Sequence, residues 1–422
     1  MIDLKFIREN LDLVRKGAES KGLTVNLGTI ISLDEKRRAL IQEGEGLKAR
    51  RNNVSAEIGK LKKEGKSADD AIGEMESVKA RIHAIDTDLR TIDEQLGALL
   101  LTVPNLPHPS VPMGNTPADN KEISAWGEAP HVDFALKPHW EIAEKLGIVD
   151  FTRGVKITGA GFPVYVGKGA TLERALINFF LDEAVSRGYR EMSPPILVNE
   201  ESARGTGQIP DKEDLMYIAE RDGLYLIPTA EVSVTNFHRD EMLGEKELPL
   251  RYAAYTPCFR REAGSYGKDV RGLNRIHQFD KVELVKFVHP DSSYEELETL
   301  RQDAERLLQL LGLPYRVLLM CTGDMGFTQT KKYDLEVRAP GQNRWLEVSS
   351  CSNFEAFQAR RMNIRFKPAN GTKPEFVHTL NGSGLALPRV VAALLEHYQT
   401  PEGKVVIPKA LHPYTRFEMI GS

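Results

Sequence analysis

The chain has 422 residues, enough for a large core and two or three domains. Apolar residues make up 41% and charged residues 27%, the balance of an ordinary globular protein rather than a disordered or fibrous one. The formal net charge of −4 excludes a global basic field, so any nucleic acid must be held by a local patch.

The first twenty residues carry Lys5, Arg8, Glu9, Asp12, Arg15 and Lys16, which excludes a signal peptide's apolar core. No apolar run approaches the roughly 18 residues of a membrane span, so a cytoplasmic protein is expected. Asp3 is placed to cap one amphipathic helix with the stripe Leu4, Ile7, Leu11 and Val14. Leu33, Leu40, Leu47, Val54 and Leu61 then recur every seven residues. After a polar break from Lys62 to Gly73, Met75, Val78, Ile82, Ile85, Leu89, Ile92, Leu96 and Leu99 form an a/d seam. The pattern predicts a long antiparallel helical hairpin, a coiled coil whose arms of ~30 residues reach roughly 45 Å. From Lys36 to Lys63 there are nine basic and three acidic residues; from Glu64 to Leu96, four basic and nine acidic. Arg50, Arg51, Lys60, Lys62, Lys63 and Lys66 suit a phosphate backbone, and the same charges suit solvation and pairing of a coiled coil. The arm holds no aromatic residue to stack on bases, which favours contact with duplex backbone or shape.

Pro104, Pro107, Pro109, Pro112 and Pro117 forbid helix and mark a boundary. The division expected is an arm domain over 1–100, a linker over 101–125 and a second domain over 126–422. Past Trp126, short strands alternate with helices. A helix carrying Leu172, Leu176, Phe179 and Phe180 leads through Arg187-Gly188-Tyr189 into a strand ending at Pro194-Pro195, which belongs at an edge or interface. Leu224 to Ile227 is a strand entering Pro228-Thr229-Ala230-Glu231. Thr229 there suits a helix cap, and with Glu231 it also suits a polar pocket for an amino acid.

Thr256 to Glu262 and His277 to Glu283 read as two strands around a loop, Ala263 to Asn274, containing Gly264, Gly267, Gly272, Lys268 and Arg271. Hairpin loops commonly hold about 2–5 residues, so this one is read as a binding element. Alternation places Arg260 with Glu262, and Arg275 with His277, Phe279, Lys281 and Glu283. Guanidinium for phosphate, ring for base and carboxylate for amine would suit a nucleotide; a solvated charged hairpin is the plainer reading. Glu347 lies mid-strand between Leu346 and Val348, where Mg²⁺ on ATP phosphates or an ion pair with an arginine would each explain it. Asn381 to Arg389 precedes an apolar helix over Val390 to Tyr398, which sets Arg389 near a helix N-terminus, either as a phosphate contact or as part of a turn and cap. No dinucleotide-binding GxGxxG or Walker A segment stands in a strand–loop–helix setting. Cys258, Cys321 and Cys351 are too few and scattered for a disulfide framework or CxxC metal site and read as buried free thiols. No Ser–His–Asp or Cys–His nucleophile declares itself.

Phe259-Arg260-Arg261-Glu262-Ala263-Gly264-Ser265 with His277-Gln278-Phe279-Asp280-Lys281-Val282-Glu283 closely resembles motif 2 of class II aminoacyl-tRNA synthetases, in the wording of bacterial seryl-tRNA synthetases. Arg187 to Pro195 resembles motif 1, and Asn381 to Arg389 resembles motif 3, although Pro388 stands where the general motif has Glu. The resemblance spans essentially the whole chain. It implies an α+β protein: the helical arm followed by a class II core of antiparallel sheet flanked by helices, paired as a homodimer through motif 1. It implies serine activation by ATP and transfer to tRNA(Ser), and to tRNA(Sec) where present, with the arm recognising tRNA by shape and reaching across to the other subunit's active site; neither DNA nor membrane is a partner. Arg260 and Arg389 become the catalytic arginines. ATP contacts fall on Arg260, Arg261, Glu262, Arg275, Ile276, Phe279, Glu347, Val348, Ser349, Ser350 and Arg389, with Mg²⁺ on Glu347 and Ser350. Serine contacts fall on Thr229, Ala230, Glu231, Glu283 and Ser383. Strict alternation pairs Glu347 with Ser349, so the Ser350 assignment implies an irregular strand. A ligase that loads a carrier protein and a non-catalytic synthetase-like regulator are the alternatives; the first lacks such an arm, and the second should have lost Arg260, Glu262, Glu283, Glu347 or Arg389.

Overall fold

The computed structural model describes residues 1–129, 131–262 and 271–421, so Ala263, Gly264, Ser265, Gly267 and Lys268 lie outside the described residues. The chain forms two compact units: 2–19 with 23–104, and Met1, 20–22 and 105 onward.

In the first unit Asp3 caps helix α1 (Leu4–Glu9) by accepting from the Phe6 amide. The expected single helix is broken at Asn10, and α2 (Leu11–Ser20) follows. The Asn10 side chain donates to the Phe6 carbonyl at 3.1 Å, the local competition that makes asparagine a poor interior helix residue. Helix α3 (Leu27–Lys63), capped by Asn26, runs antiparallel to α4 (Asp69–Leu101). Gly65, at φ 67°, helps to reverse the chain. α4 starts inside the polar stretch read as a break, because Asp69 and Asp70 favour a helix N-terminus. At 37 residues α3 is about 55 Å long.

The seam of α4 is buried at Met75, Val78, Ile82, Ile85, Ile92 and Leu96. On α3 only Val54 of the five heptad residues is fully buried. Gly44 faces Ile85, and the buried Asp34 accepts from Arg8 and Arg38. Four ion pairs cross the hairpin: Arg37–Asp93, Glu43–Arg81, Lys48–Asp86 and Arg50–Glu74. Such exposed pairs are each worth about 0–1 kcal/mol, but they fix the register of the two helices. Arg51, Lys60, Lys62 and Lys63 are in no ion pair among the described residues.

The second unit is built on an eight-stranded sheet: β1 (Lys121–Trp126), β2 (Arg190–Met192), β3 (Leu250–Phe259), β4 (Gln278–Val288), β5 (Tyr315–Leu319), β6 (Lys331–Ala339), β7 (Arg344–Asn353) and β8 (His378–Ala386). The order across the sheet is β1-β5-β6-β7-β8-β4-β3-β2, antiparallel except for the edge pair β2–β3. One face packs on helices Lys168–Ser186, Ser293–Leu310 and Leu387–His397 through a single apolar core containing Leu172, Phe180, Leu300, Val391 and Leu395. Val282 and Leu284 of β4 enter that core, so Phe279, Lys281 and Glu283 face the other way. The proline-rich segment is laid along the sheet from residue 105. Asn105 donates to the Thr328 and Phe354 carbonyls, His108 to Thr330, and Val111 packs on Leu318 and Met320. All three cysteines are buried free thiols. Among the described residues no helix is long and apolar enough to cross a membrane.

Candidate active site

A cavity of about 440 Å³ opens on the exposed face of β4, β7 and β8. Its inner end is polar. Pro228 closes the strand Leu224–Leu226, and the short helix Glu231–Thr235 starts beside it. The Thr229 hydroxyl accepts from the Glu231 amide at 3.3 Å and from Lys281 Nζ at 2.8 Å, and donates to Glu283 Oε2 at 3.1 Å. Thr229 is therefore both a helix-start residue and a pocket residue. Lys281 is also ion-paired with Glu283, and Ser383 lies opposite Glu283 on β8. Glu231 accepts from Gln358 Nε2 at 2.7 Å. Burial, followed by the Glu283 charge, pushes the Glu231 carboxyl up to about 7, with Gln358, Lys281 and Lys212 opposing. Two acids, one paired with a lysine, leave this pocket ready for one more cation.

The outer end is cationic and aromatic. Arg260 lies over the Phe279 ring, 5.1 Å from its centroid, and its Nε donates to the Pro228 carbonyl at 3.3 Å. Arg389 stands in the first turn of helix Leu387–His397, whose Pro388 needs no amide partner there. It donates to the carbonyls of Asn274 and Glu347, at 3.1 and 2.7 Å. Arg275 is ion-paired with Glu262, which holds a left-handed backbone at φ 48°, an uncommon conformation for a residue with a Cβ. Ile276 and Val348 complete the wall.

Between the two ends, β7 carries an irregularity: Leu335 pairs with Ser349 but Glu336 pairs with Glu347, so Val348 is an extra residue. The bulge brings Ser350 onto the side of Glu347, and its hydroxyl donates to Glu347 Oε1 at 2.9 Å. Crowding by the cavity walls works to raise the pKa of Glu347, whose side chain reaches the open cavity, yet Lys332, Arg389, the Ser350 hydrogen bond and Arg260 outweigh it and hold the carboxyl well below the usual carboxylate range. A permanently ionised carboxylate beside a hydroxyl, with arginines to hold phosphates, fits a hard divalent ion that shares its shell with phosphate oxygens. Among the described residues there is no group of three or more acid, His or Cys ligands, so a site of protein ligands alone is not what is built here.

Thirteen of the expected site residues thus line one cavity: Thr229, Glu231, Arg260, Glu262, Arg275, Ile276, Phe279, Glu283, Glu347, Val348, Ser350, Ser383 and Arg389. Three do not. Ala230 is buried in a separate apolar cluster with Val234 and Tyr252. Arg261 donates to the Asp214 carbonyl, and the Ser349 hydroxyl turns toward the Ser383 carbonyl and Cys351. His277 also leaves the face expected of it. The strand starts only at Gln278, and His277 bonds Tyr217 and stacks on Phe162 instead. Sequence reading assigned no role to Lys281, Lys332, Gln358 or Asn381. Lys281 was visible on the Glu283 face; Gln358, 127 residues from Glu231, gave no local signal.

Residues 1–107 match the seryl-tRNA synthetase N-terminal domain, and residues 216–398 match the tRNA synthetase class II core domain (G, H, P, S and T). The chain is 57% identical to the serine–tRNA ligase of Geobacter sulfurreducens over 98% of both proteins. It is 55% identical to that of Salinibacter ruber over the full length of both. This chain belongs to the seryl-tRNA synthetase family. The crystal structure of seryl-tRNA synthetase from Pyrococcus horikoshii complexed with ATP superposes with a TM-score of 0.94, at 37% identity, covering 100% of this chain and 99% of that one. The fold also extends to a Giardia lamblia prolyl-tRNA synthetase, with a TM-score of 0.57 at 15% identity over 66% of this chain and 57% of that one.

A pH dependence follows from the inner end. If Glu231, rather than Glu283, takes a substrate ammonium, only its ionised form can pair with it, and burial, which raises its pKa to about 7, leaves a substantial fraction neutral at neutral pH. The apparent KM for serine should therefore fall as pH rises through 7 and increase about tenfold per unit below 6. Glu231→Gln should flatten that profile, and initial rates at varied serine between pH 5.5 and 8.5 would check it.

Proposed function

We propose that the chain activates L-serine with ATP to seryl-adenylate and transfers serine to the 3′ end of tRNA(Ser), and of tRNA(Sec) where that tRNA exists. It is a serine–tRNA ligase. The observation that carries this reading is the meeting in one cavity of a two-carboxylate polar pocket with an Arg260–Phe279–Arg389 nucleotide end. Glu231 and Glu283 hold the serine ammonium and hydroxyl together with Thr229 and Ser383. Phe279 stacks on the adenine, with Glu262, Arg275 and Ile276 around it; Arg260 holds the α-phosphate and Arg389 the terminal phosphates. The serine carboxylate attacks the α-phosphorus in line, and pyrophosphate leaves. Arginines neutralise charge that grows in the transition state, so positioning and electrostatics suffice without a covalent enzyme intermediate. Glu347 and Ser350 would hold Mg²⁺, which when bound withdraws charge from the phosphates.

The proposed division of labour gives tRNA binding to the arm, residues 1–100, and chemistry to 126–422, with 101–125 joining them. The proposed assembly is a homodimer through the Arg187 to Pro195 segment, working in the cytoplasm. The regulator alternative is opposed by Arg260, Glu262, Glu283, Glu347 and Arg389 being not only present but gathered in one cavity. Amino-acid-dependent ATP–pyrophosphate exchange without tRNA tests the reading. Serine should support exchange at least about 100-fold better than alanine, which leaves the hydroxyl's partners unpaired. Threonine must be rejected by the fit of its methyl group. A preference for another amino acid, or no exchange, would refute the proposal.

A further inference from the structure

A second cavity, of about 280 Å³, lies behind the outer end of the first, and Ile276 lines both. The partition is the segment Arg271 to Ile276, pinned by the Leu273 amide donating to buried His139 Nε2 at 2.8 Å. His139 is in turn held by buried Glu396. The walls are aromatic: Trp140, Phe151 and Phe162. Its backbone is brought in close at two glycines. A Cβ on Gly161 would lie 2.1 Å from the His277 ring, and one on Gly272 2.3 Å from the His139 ring. The Arg271 guanidinium sits over Trp140, 4.9 Å from the ring centroid. Trp140 Nε1 is buried and has no hydrogen-bond partner among the described residues.

We propose that this cavity receives an unpaired nucleobase of the tRNA 3′ end during the transfer step, an inference that rests on the function given above. Flat aromatic walls with a nearby guanidinium suit any base, because every base offers a ring face. Arg271 adds positive charge for the adjoining phosphate. The position also fits. Serine moves from the adenylate to the terminal ribose, so the bases next to that ribose must lodge close to the nucleotide end without occupying it. A cavity sharing only the Ile276 wall meets that demand.

The test separates the two chemical steps. Phe162→Leu and Trp140→Leu should leave serine-dependent ATP–pyrophosphate exchange within about twofold and slow single-turnover transfer to tRNA by about tenfold, the loss of one stacked base. Trp140→Phe, which keeps a ring but not the N–H, should show a smaller loss. Equilibrium binding supplies a readout independent of rate. Intact tRNA should bind the unmodified protein more tightly than tRNA lacking its last three nucleotides, and the leucine variants should lose that difference. Unchanged transfer, or an end-dependent difference that survives in the variants, overturns the proposal. So does an equal loss in both steps, which makes the cavity part of the shared wall, or a loss explained by altered oligomeric state. Absence of exchange in the unmodified protein would instead strike at the proposed function.

Discussion

Arg260→Ala should lower serine-dependent ATP–pyrophosphate exchange by about 10³-fold, the scale expected when one preorganised charge partner of a transition state is removed. Arg260 directly follows β3; its side chain donates to the Pro228 carbonyl and otherwise rests on Phe279. Its guanidinium makes no ion pair among the described residues, so it is available for a phosphate. Because so little structure depends on it, the variant should unfold at nearly the parent temperature. Arg260→Lys should recover only part of the rate: the charge returns, but the planar fork that grips two oxygens does not. Exchange assays with thermal unfolding of the same preparations would check both points. Exchange within tenfold of the parent would show that Arg260 is not the α-phosphate residue.

What could be read from the sequence follows from how local each signal is. The α4 seam was legible because every third or fourth residue from Met75 to Leu96 is apolar and one face is buried. The break at Asn10 was not, since Ile7 and Val14 keep helical spacing across it. In the site, motif residues on β3 and β4 stood in order because alternation governs two long paired strands. Alternation failed where it was extended past the strand, at His277. It also needed amendment on β7, where the Val348 bulge changes the face of Ser350; periodicity alone pointed to Ser349, and only the family resemblance named Ser350. Gln358 was illegible for another reason: it acts on Glu231, an acid that only tertiary folding brings to it. Lys332 pairs locally with Asp334 two residues along β6, but its effect on Glu347 crosses to another strand.

Deleting residues 36 to 96 should leave ATP–pyrophosphate exchange within about twofold and abolish tRNA charging. The residues lining the catalytic cavity all lie between Gln208 and Arg389, so the chemistry has no side chain in the removed segment, and distant independent sites do not perturb one another. The arm's own charges argue for its use. Arg37, Lys48 and Arg50 are matched by acids of α4, whereas Arg51, Lys60, Lys62 and Lys63 have no ion pair among the described residues. Three of those four fall in the last turn of α3 and make a compact cationic tip. If phosphates pair with that tip, replacing Lys60, Lys62 and Lys63 by Gln should weaken tRNA binding and reduce the slope of log affinity against log salt by about two to three. Replacing Arg37 and Arg50, already engaged across the hairpin, should alter that slope far less. A salt slope unchanged by the lysine substitutions would remove the tip from the interface, and normal charging by the deletion variant would remove the arm from it altogether.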